Sequence, residues 1–163
     1  MSRSPNGQTP LQQFVELSVM LTGFDSAELH GTGLVPTYYG LIPSIIGDQM
    51  FGSFLTRWVY TYERGRGDEE LLEQLVNDQI FEDPDFGPIA RNLAGLWYTG
   101  QWNQLPAEWR NRNGAWANDT TYVISPESYS EGLVWKAIGS HPKAAKQPGY
   151  GSWALPPENG DRP

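Results

Sequence analysis

The sequence predicts an all-α protein, a single irregular helical domain with about five helices. Apolar residues recur at spacings of three and four in several segments, with capping residues before them and glycines after them. The alternation typical of a half-buried strand occurs only weakly, at 120–124. The 13 prolines and 18 glycines exclude an idealised helix bundle and indicate long irregular connections.

The first helix is predicted to run from Thr9 to Gly23. Thr9 and Gln12 fit a capping box, Pro10 takes the first helical position, and Gly23 can close the last turn. The face expected to be buried consists of Leu11, Phe14, Val15, Ser18 and Leu21.

Between 24 and 47 the chain remains apolar but contains several glycines and two prolines. Because proline removes a backbone donor and disrupts a helix interior, this segment is predicted to be mostly irregular. At most a short helix is expected, around 37–42.

Three further helices are predicted between 48 and 100. Asp48 is expected to cap a helix to about Tyr62, and Asp68 to cap a second helix over 69–80. The third follows the turn at 83–85 and ends near Gly100. Their inward faces are Phe51, Phe54, Leu55, Trp58 and Tyr62 in the first, Leu72, Leu75 and Val76 in the second, and Phe86, Ile89, Leu93, Leu96 and Trp97 in the third.

The last third of the chain is predicted to contain one helix between two irregular segments. Residues 101–124 show no sustained period and are expected to form a long, ordered, Trp-rich loop. Ser125 and Pro126 begin a helix that ends near Gly139. We expect 1–138 to form the helical domain. Residues 139–163, which we call the C-terminal strap, are rich in Pro and Gly and are predicted to extend against a partner.

The composition excludes several classes of function. A net charge of −8 opposes binding to nucleic acid or to an anionic membrane, and no apolar run approaches the ~20 residues of a spanning helix. The absence of cysteine excludes thiolate zinc sites, iron–sulfur clusters and covalently attached haem on this chain. The first residues contain neither an apolar core nor paired arginines, so an export signal is expected to be absent or already removed.

No catalytic set is recognisable in the sequence. The two histidines, His30 and His141, lie in separate segments without a partner at ligand spacing. The glycine-rich run at 149–154 has prolines on both sides, where a dinucleotide site needs a strand and a helix. We therefore expect no catalytic residue, no bound metal and no cofactor on this chain.

The tryptophans outside the predicted helices leave two interpretations open. Trp102, Trp109, Trp116 and Trp153 lie in irregular segments, and a single small core is not expected to bury them all. An aromatic platform can anchor a protein interface or stack on a sugar ring. A free-standing carbohydrate-binding module or small glycosidase is therefore the alternative to a partner-binding subunit. A domain that binds a small regulatory ligand has no motif behind it.

Three segments of the sequence resemble one known family. They are the run from Tyr129 to Pro157, the run from Phe14 to Phe24, and the run from Leu96 to Trp102. In this order they resemble the small subunit of membrane-bound, FAD-dependent sorbitol dehydrogenases and of related sugar and alcohol dehydrogenases.

The resemblance implies a non-catalytic role beside a larger subunit in a heterodimer or larger complex. In that family a flavoprotein of the glucose–methanol–choline oxidoreductase type binds FAD and oxidises the substrate, and a cytochrome c subunit often passes electrons to the membrane quinone pool. The small subunit has no cofactor, stabilises the flavoprotein as a chaperone does, and escorts it to the periplasm. A periplasmic location, membrane-associated through the complex, is thus implied; without an export signal the location would be cytoplasmic.

The expected functional residues are therefore those of a partner interface. They combine aromatic side chains near the C-terminus with polar and basic residues of the C-terminal strap, and Trp97 and Tyr98 support the same surface. For all of them a core role within this chain is an equal alternative. The predicted interface residues are Trp97, Tyr98, Trp102, Trp135, His141, Lys146, Gln147, Pro148, Tyr150 and Trp153.

Overall fold

Helices form most of residues 7–139, the part of the chain that the computed structural model describes. This confirms the predicted all-α class. The helices are α1 (Pro10–Thr22), α2 (Ser26–Gly31), α3 (Val35–Ile46), α4 (Asp48–Gly65), α5 (Glu69–Val76), α6 (Phe86–Thr99), α7 (Ala107–Asn113), α8 (Pro126–Ser130) and α9 (Leu133–Ala137). Strands β1 (Gln101–Trp102) and β2 (Tyr122–Val123) pair antiparallel, with Gln101 opposite Val123 and Trp102 opposite Tyr122.

The ends of α1 are those predicted from its capping residues. The Gln12 amide donates to the Thr9 hydroxyl at 3.2 Å, and the Thr9 amide donates back to the Gln12 side chain at 2.9 Å. Gly23 closes the helix in the left-handed region, at φ 76°. The buried face is rotated from the predicted one: Leu17 is fully buried, whereas Leu11 is exposed.

The prediction that 24–47 is mostly irregular is wrong, because α2 and α3 occupy most of it. Asp25 and Glu28 form a second capping box, which begins α2. Pro36 lies in the first turn of α3, where a missing N–H has no consequence, but Pro43 lies inside the helix. A proline inside a helix destabilises it by ~3 kcal/mol. Burial of several apolar side chains, which stabilises by ~1.5–3 kcal/mol for each, outweighs this cost. These side chains are Tyr38, Ile42, Ile45 and Ile46.

Helices α4 and α5 form an antiparallel pair whose axes approach closely at Gly65. A Cβ atom on Gly65 would lie 2.6 Å from the Leu72 Cα atom, so a larger residue would separate the helices. Asp68 caps α5 as predicted, accepting from the Leu71 amide at 3.0 Å. Asp48, however, is the first helical residue of α4, and its N-cap is Gly47. The helix predicted over 69–80 ends as α at Val76 and continues as a π-helical turn, Asn77–Phe81.

The core lies between α1, α3, α4 and α6. Trp58 and Trp97 are buried there, as predicted. The ring of Tyr38 packs edge-on against Trp97 at 4.8 Å between centroids, and burial raises the pKa of Tyr38 to about 12. Phe14 packs against Phe51 at 6.1 Å, which joins α1 to α4.

The predicted last helix is divided in two. Ser125 caps α8 as expected, accepting from the Ser128 amide at 3.1 Å. The chain then turns at Gly132, where a Cβ atom would lie 2.6 Å from the Tyr98 carbonyl oxygen. This close approach to α6 requires glycine, and glycine in turn separates α8 from α9.

Candidate functional site

The ends of α1, α6 and α9 meet at one surface, which we call the junction. Its residues are Phe24, Glu28, Tyr98, Tyr129, Trp135, Lys136 and Ile138. The Tyr98 hydroxyl donates to the carbonyl oxygen of Thr22 at 2.8 Å. The rings of Phe24 and Tyr98 pack edge-to-face, with 5.9 Å between centroids. Residues more than seventy positions apart in the chain are thus fixed against one another.

Helix α9 is held at the junction by two side chains. The Trp135 indole N–H donates to the Tyr129 carbonyl oxygen at 2.9 Å, and the two rings pack at 5.5 Å. The ammonium of Lys136 lies 2.6 Å from the Glu28 carboxylate and 5.9 Å from the centre of the Phe24 ring. The hydrogen bond from Lys136, with one from the Asp25 amide, lowers the pKa of Glu28.

Part of the junction remains open to solvent. Tyr98, Tyr129 and Trp135 are half-buried, and Ile138 is 64% exposed. Ile138 lies one residue before the end of the described chain, so this apolar side chain stands where the C-terminal strap begins.

For two of the predicted interface residues, the structure agrees with the alternative role in the core. Trp97 and Trp102 are 1% and 0% exposed within this chain alone, so neither indole can contact a partner in this conformation. Tyr98 and Trp135, by contrast, lie together at the junction. The remaining predicted residues lie outside the described part of the chain; they are His141, Lys146, Gln147, Pro148, Tyr150 and Trp153.

The segment 101–124 has more regular secondary structure than the predicted loop, because it contains α7 and both strands. Its organising group is the carboxylate of Asp119, which is 1% exposed. One oxygen of Asp119 accepts from the Trp102 indole and from the Leu105 amide, each at 3.0 Å. Arg110 lies 3.8 Å from the other oxygen. This buried acceptor explains how Trp102 is accommodated inside the domain.

Trp109 is buried as well, contrary to the expectation that such indoles exceed what one core can hold. Its N–H donates to the Asp85 carbonyl oxygen at 2.8 Å, which docks α7 onto the turn before α6. Among the tryptophans of segment 101–124, Trp116 is the exposed one, at 47%. Trp102 and Trp109 are therefore unable to stack on a sugar, and Trp116 remains able to do so.

Trp116 lines a cleft of about 680 Å³ between the N-terminal end of α4 and the C-terminal end of α7, which we call the α4–α7 cleft. Its polar walls include Asp48, Asp85 and Asn113. A second cavity of about 600 Å³ continues along α4 towards Tyr60 and shares Asp48 with the first. The two cavities are adjacent, since Asp48, Gln49, Ser53 and Phe86 line both.

Asp85 is held in position from α7. One of its oxygens accepts from the Arg112 guanidinium at 3.1 and 3.2 Å and from the Asn113 amide at 3.0 Å. The hydrogen bond from Asn113, followed by the bond and charge of Arg112, lowers the pKa of Asp85, so the carboxylate is ionised at neutral pH.

Within residues 7–139, no group of three or more His, Asp or Glu side chains is arranged to hold a metal ion. In the same part of the chain, no helix is both long and apolar enough to cross a membrane.

No protein-family model, no curated protein and no solved structure matches this chain.

Proposed function

We propose that this chain is the non-catalytic small subunit of an FAD-dependent sugar or alcohol dehydrogenase whose catalytic subunit is of the glucose–methanol–choline type. One observation carries the proposal. The three segments that resemble such small subunits lie far apart in the sequence and meet at the junction.

The contacts between these segments are direct. The first segment ends α1, the second ends α6, and the third begins in α8 and continues through α9. Tyr98 donates to Thr22, linking the first two segments, and Gly132 packs on the Tyr98 carbonyl, linking the second to the third. A surface built from all three segments supports a shared role for them, namely holding the start of the C-terminal strap in a fixed place.

The proposed mechanism is mass action. A subunit that binds the folded flavoprotein and not its unfolded form raises the folded fraction. At a free concentration of about 100 times Kd it would stabilise the folded flavoprotein by ~2.7 kcal/mol. Such a mechanism needs a surface on this chain and no catalytic group. FAD and the substrate would bind to the partner, a cytochrome c subunit would complete the complex, and the pair would be exported together to the periplasm.

A pair of matched substitutions tests whether the junction is the interface. Ile138→Asp places a charge on the exposed end of α9, whereas Leu71→Asp places one on α5 at a side chain that is 39% exposed. We expect the first to weaken binding to the purified flavoprotein at least tenfold, and the second to leave it unchanged, because a buried unpaired charge is strongly unfavourable. Equal affinities for both variants, measured by calorimetry, would place the interface elsewhere.

A further inference from the structure

We propose that the α4–α7 cleft binds a neutral saccharide, with Trp116 as its stacking platform. The proposal is independent of the subunit function above, since the cleft shares no residue with the junction and the ligand would bind to this chain by itself.

The size of the cleft fits a small polar ligand. Its volume of about 680 Å³ lies within the range of ~300–1,000 Å³ usual for small-molecule sites. The adjoining cavity of about 600 Å³ gives room for a second sugar unit along α4. Exposed aromatic residues lie in both parts, Trp116 in the first and Tyr60 in the second.

The chemistry of the walls matches a polyhydroxylated ring. Sugar hydroxyls both donate and accept, and the C–H face of the ring is apolar and packs on an aromatic face. The carboxylates of Asp48 and Asp85 accept hydrogen bonds, and the side chains of Gln49 and Ser53 can donate as well as accept. Trp116 supplies the apolar face.

The charges of the cleft argue against an anionic ligand. Asp48 and Asp85 both place negative charge at its wall, and the guanidinium of Arg112 is already engaged by the Asp85 carboxylate and by the Pro84 carbonyl oxygen. The guanidinium of Arg57, which lines the adjoining cavity, is engaged by the Asp83 carboxylate and by the Gln79 carbonyl oxygen. A phosphate or carboxylate would therefore meet repulsion and would compete with carboxylates of this chain for both guanidinium groups. A neutral ligand avoids this penalty.

The walls of the cleft are also positioned in advance. The Trp116 ring lies so close to Gly47 that a Cβ atom there would come within 2.6 Å of it, and Gly47 has φ 88°, which favours glycine. Asp85 is fixed by three donated hydrogen bonds from α7. A site with fixed walls loses little conformational entropy when its ligand binds.

Titration of the full chain with cellobiose, maltose and D-glucose, followed by the indole N–H signals in two-dimensional NMR, tests the proposal. We expect the Trp116 signal to shift with a Kd of about 1 mM for at least one disaccharide, while the signal of buried Trp97 stays constant. Sodium phosphate, used as the anionic control, is expected to leave the Trp116 signal unchanged.

Substitutions at Trp116 and at a control position test whether the sugar binds in the α4–α7 cleft. Because these variants lack the Trp116 indole, their sugar affinity is measured by isothermal titration calorimetry. Trp116→Ala is expected to weaken binding about tenfold or more, and Trp116→Phe to weaken it less, because the smaller ring retains part of the platform. Val123→Ala, at a side chain that is also 47% exposed, serves as the control and should bind as the unaltered chain does. The proposal is overturned if none of the three sugars shifts the Trp116 signal up to about 50 mM, or if Trp116→Ala binds with unchanged affinity. A Trp116 signal that moves only when a partner protein is added would also overturn it, in favour of a protein interface.

Discussion

Asp119 shows how one side chain determines the conformation of a whole segment. Its buried carboxylate accepts from Trp102 and from Leu105, and so attaches the chain after β1 to the chain before β2. Nothing in the sequence indicates this role, since a lone aspartate among Asn and Thr residues is equally typical of an exposed turn. The burial of Trp102 was unpredictable for the same reason.

Replacing Asp119 is expected to be strongly destabilising. Asp119→Ala leaves the Trp102 indole and the Leu105 amide without an acceptor, which we expect to lower the free energy of unfolding by ~2–4 kcal/mol. Asp119→Asn retains an acceptor oxygen and should lose less. The free energies come from urea denaturation, with Thr120→Ala, at an exposed neighbouring position, as the control. A loss below ~1 kcal/mol in Asp119→Ala would show that the carboxylate does not organise the segment.

Glu16 is a second residue whose burial has a consequence for stability, in this case one that depends on pH. One of its oxygens accepts from Gln8, while the other is shielded from solvent without a hydrogen-bond partner in the described part of the chain. Burial raises the pKa of Glu16 above its ordinary value of 4.5, an effect that the bond from Gln8 partly offsets.

A raised pKa in the folded state has a definite sign for stability. Glu16 contributes to the free energy of unfolding because the folded chain binds its proton more tightly than the unfolded chain does. This contribution is fully present below the pKa of Glu16 in the unfolded chain and is lost as the pH rises through its folded-state pKa. Glu16→Gln is therefore expected to stabilise the protein at pH 7 and to change little near pH 4. Thermal unfolding at both pH values measures this, and Glu73→Gln, on the exposed face of α5, is expected to show no such difference. A Glu16→Gln variant less stable than the original chain at pH 7 would contradict the assignment.

Helices whose ends are marked by capping residues in the sequence were predictable. Helices that form because other elements bury their side chains were not. The capping box of α1 and the closing glycines of α1 and α6 are visible in the sequence next to the helices that they end. Helix α3 contains Pro43 and forms because its isoleucines are buried by α1 and α4, which is a tertiary effect. Likewise, α8 and α9 separate at Gly132 because α6 lies against that glycine.

A glycine inside α6 and the glycine that caps its C-terminal end should respond in opposite directions to replacement by alanine. Gly95 lies within α6 with open space around its Cα, so Gly95→Ala is expected to stabilise the protein by ~0.5–1 kcal/mol through helix propensity. Gly100 has φ 74°, and a Cβ atom there would collide with the Ser128 backbone, so Gly100→Ala should destabilise by at least ~2 kcal/mol. Chemical denaturation of both variants measures the difference. Equal effects would contradict the packing of α8 on α6.

At the scale of the whole molecule, the junction joins three parts of the chain that no sequence spacing relates. Glu28 and Lys136 are 108 residues apart and form an ion pair there. The sequence predicted Tyr98 and Trp135 as interface residues individually, and it could not predict that they lie together. Trp97 and Trp102 are buried, and the sequence left a core role and an interface role open for both, because an aromatic residue near a glycine turn is as typical of a core as of a surface.

Removal of 140–163 tests whether these residues are needed for folding of the helical domain or for the proposed binding of a partner. The buried apolar residues of the described chain lie between Phe14 and Leu133, so a chain ending at Gly139 is expected to keep its helical circular dichroism and to unfold within a few degrees of the full chain, about 4 °C per kcal/mol lost. Its affinity for the flavoprotein should fall at least a hundredfold if the C-terminal strap contacts that partner. Unaltered affinity would contradict the division at residue 139.

The most direct test of the proposed function is co-purification of the tagged chain from its own organism, with the accompanying proteins identified by mass spectrometry and flavin measured by absorbance. We predict a stoichiometric flavoprotein several times larger than this 18.3 kDa chain, with its FAD bound. A chain that is recovered alone, stably folded and without flavin under gentle conditions would contradict the proposal that it is a dehydrogenase subunit.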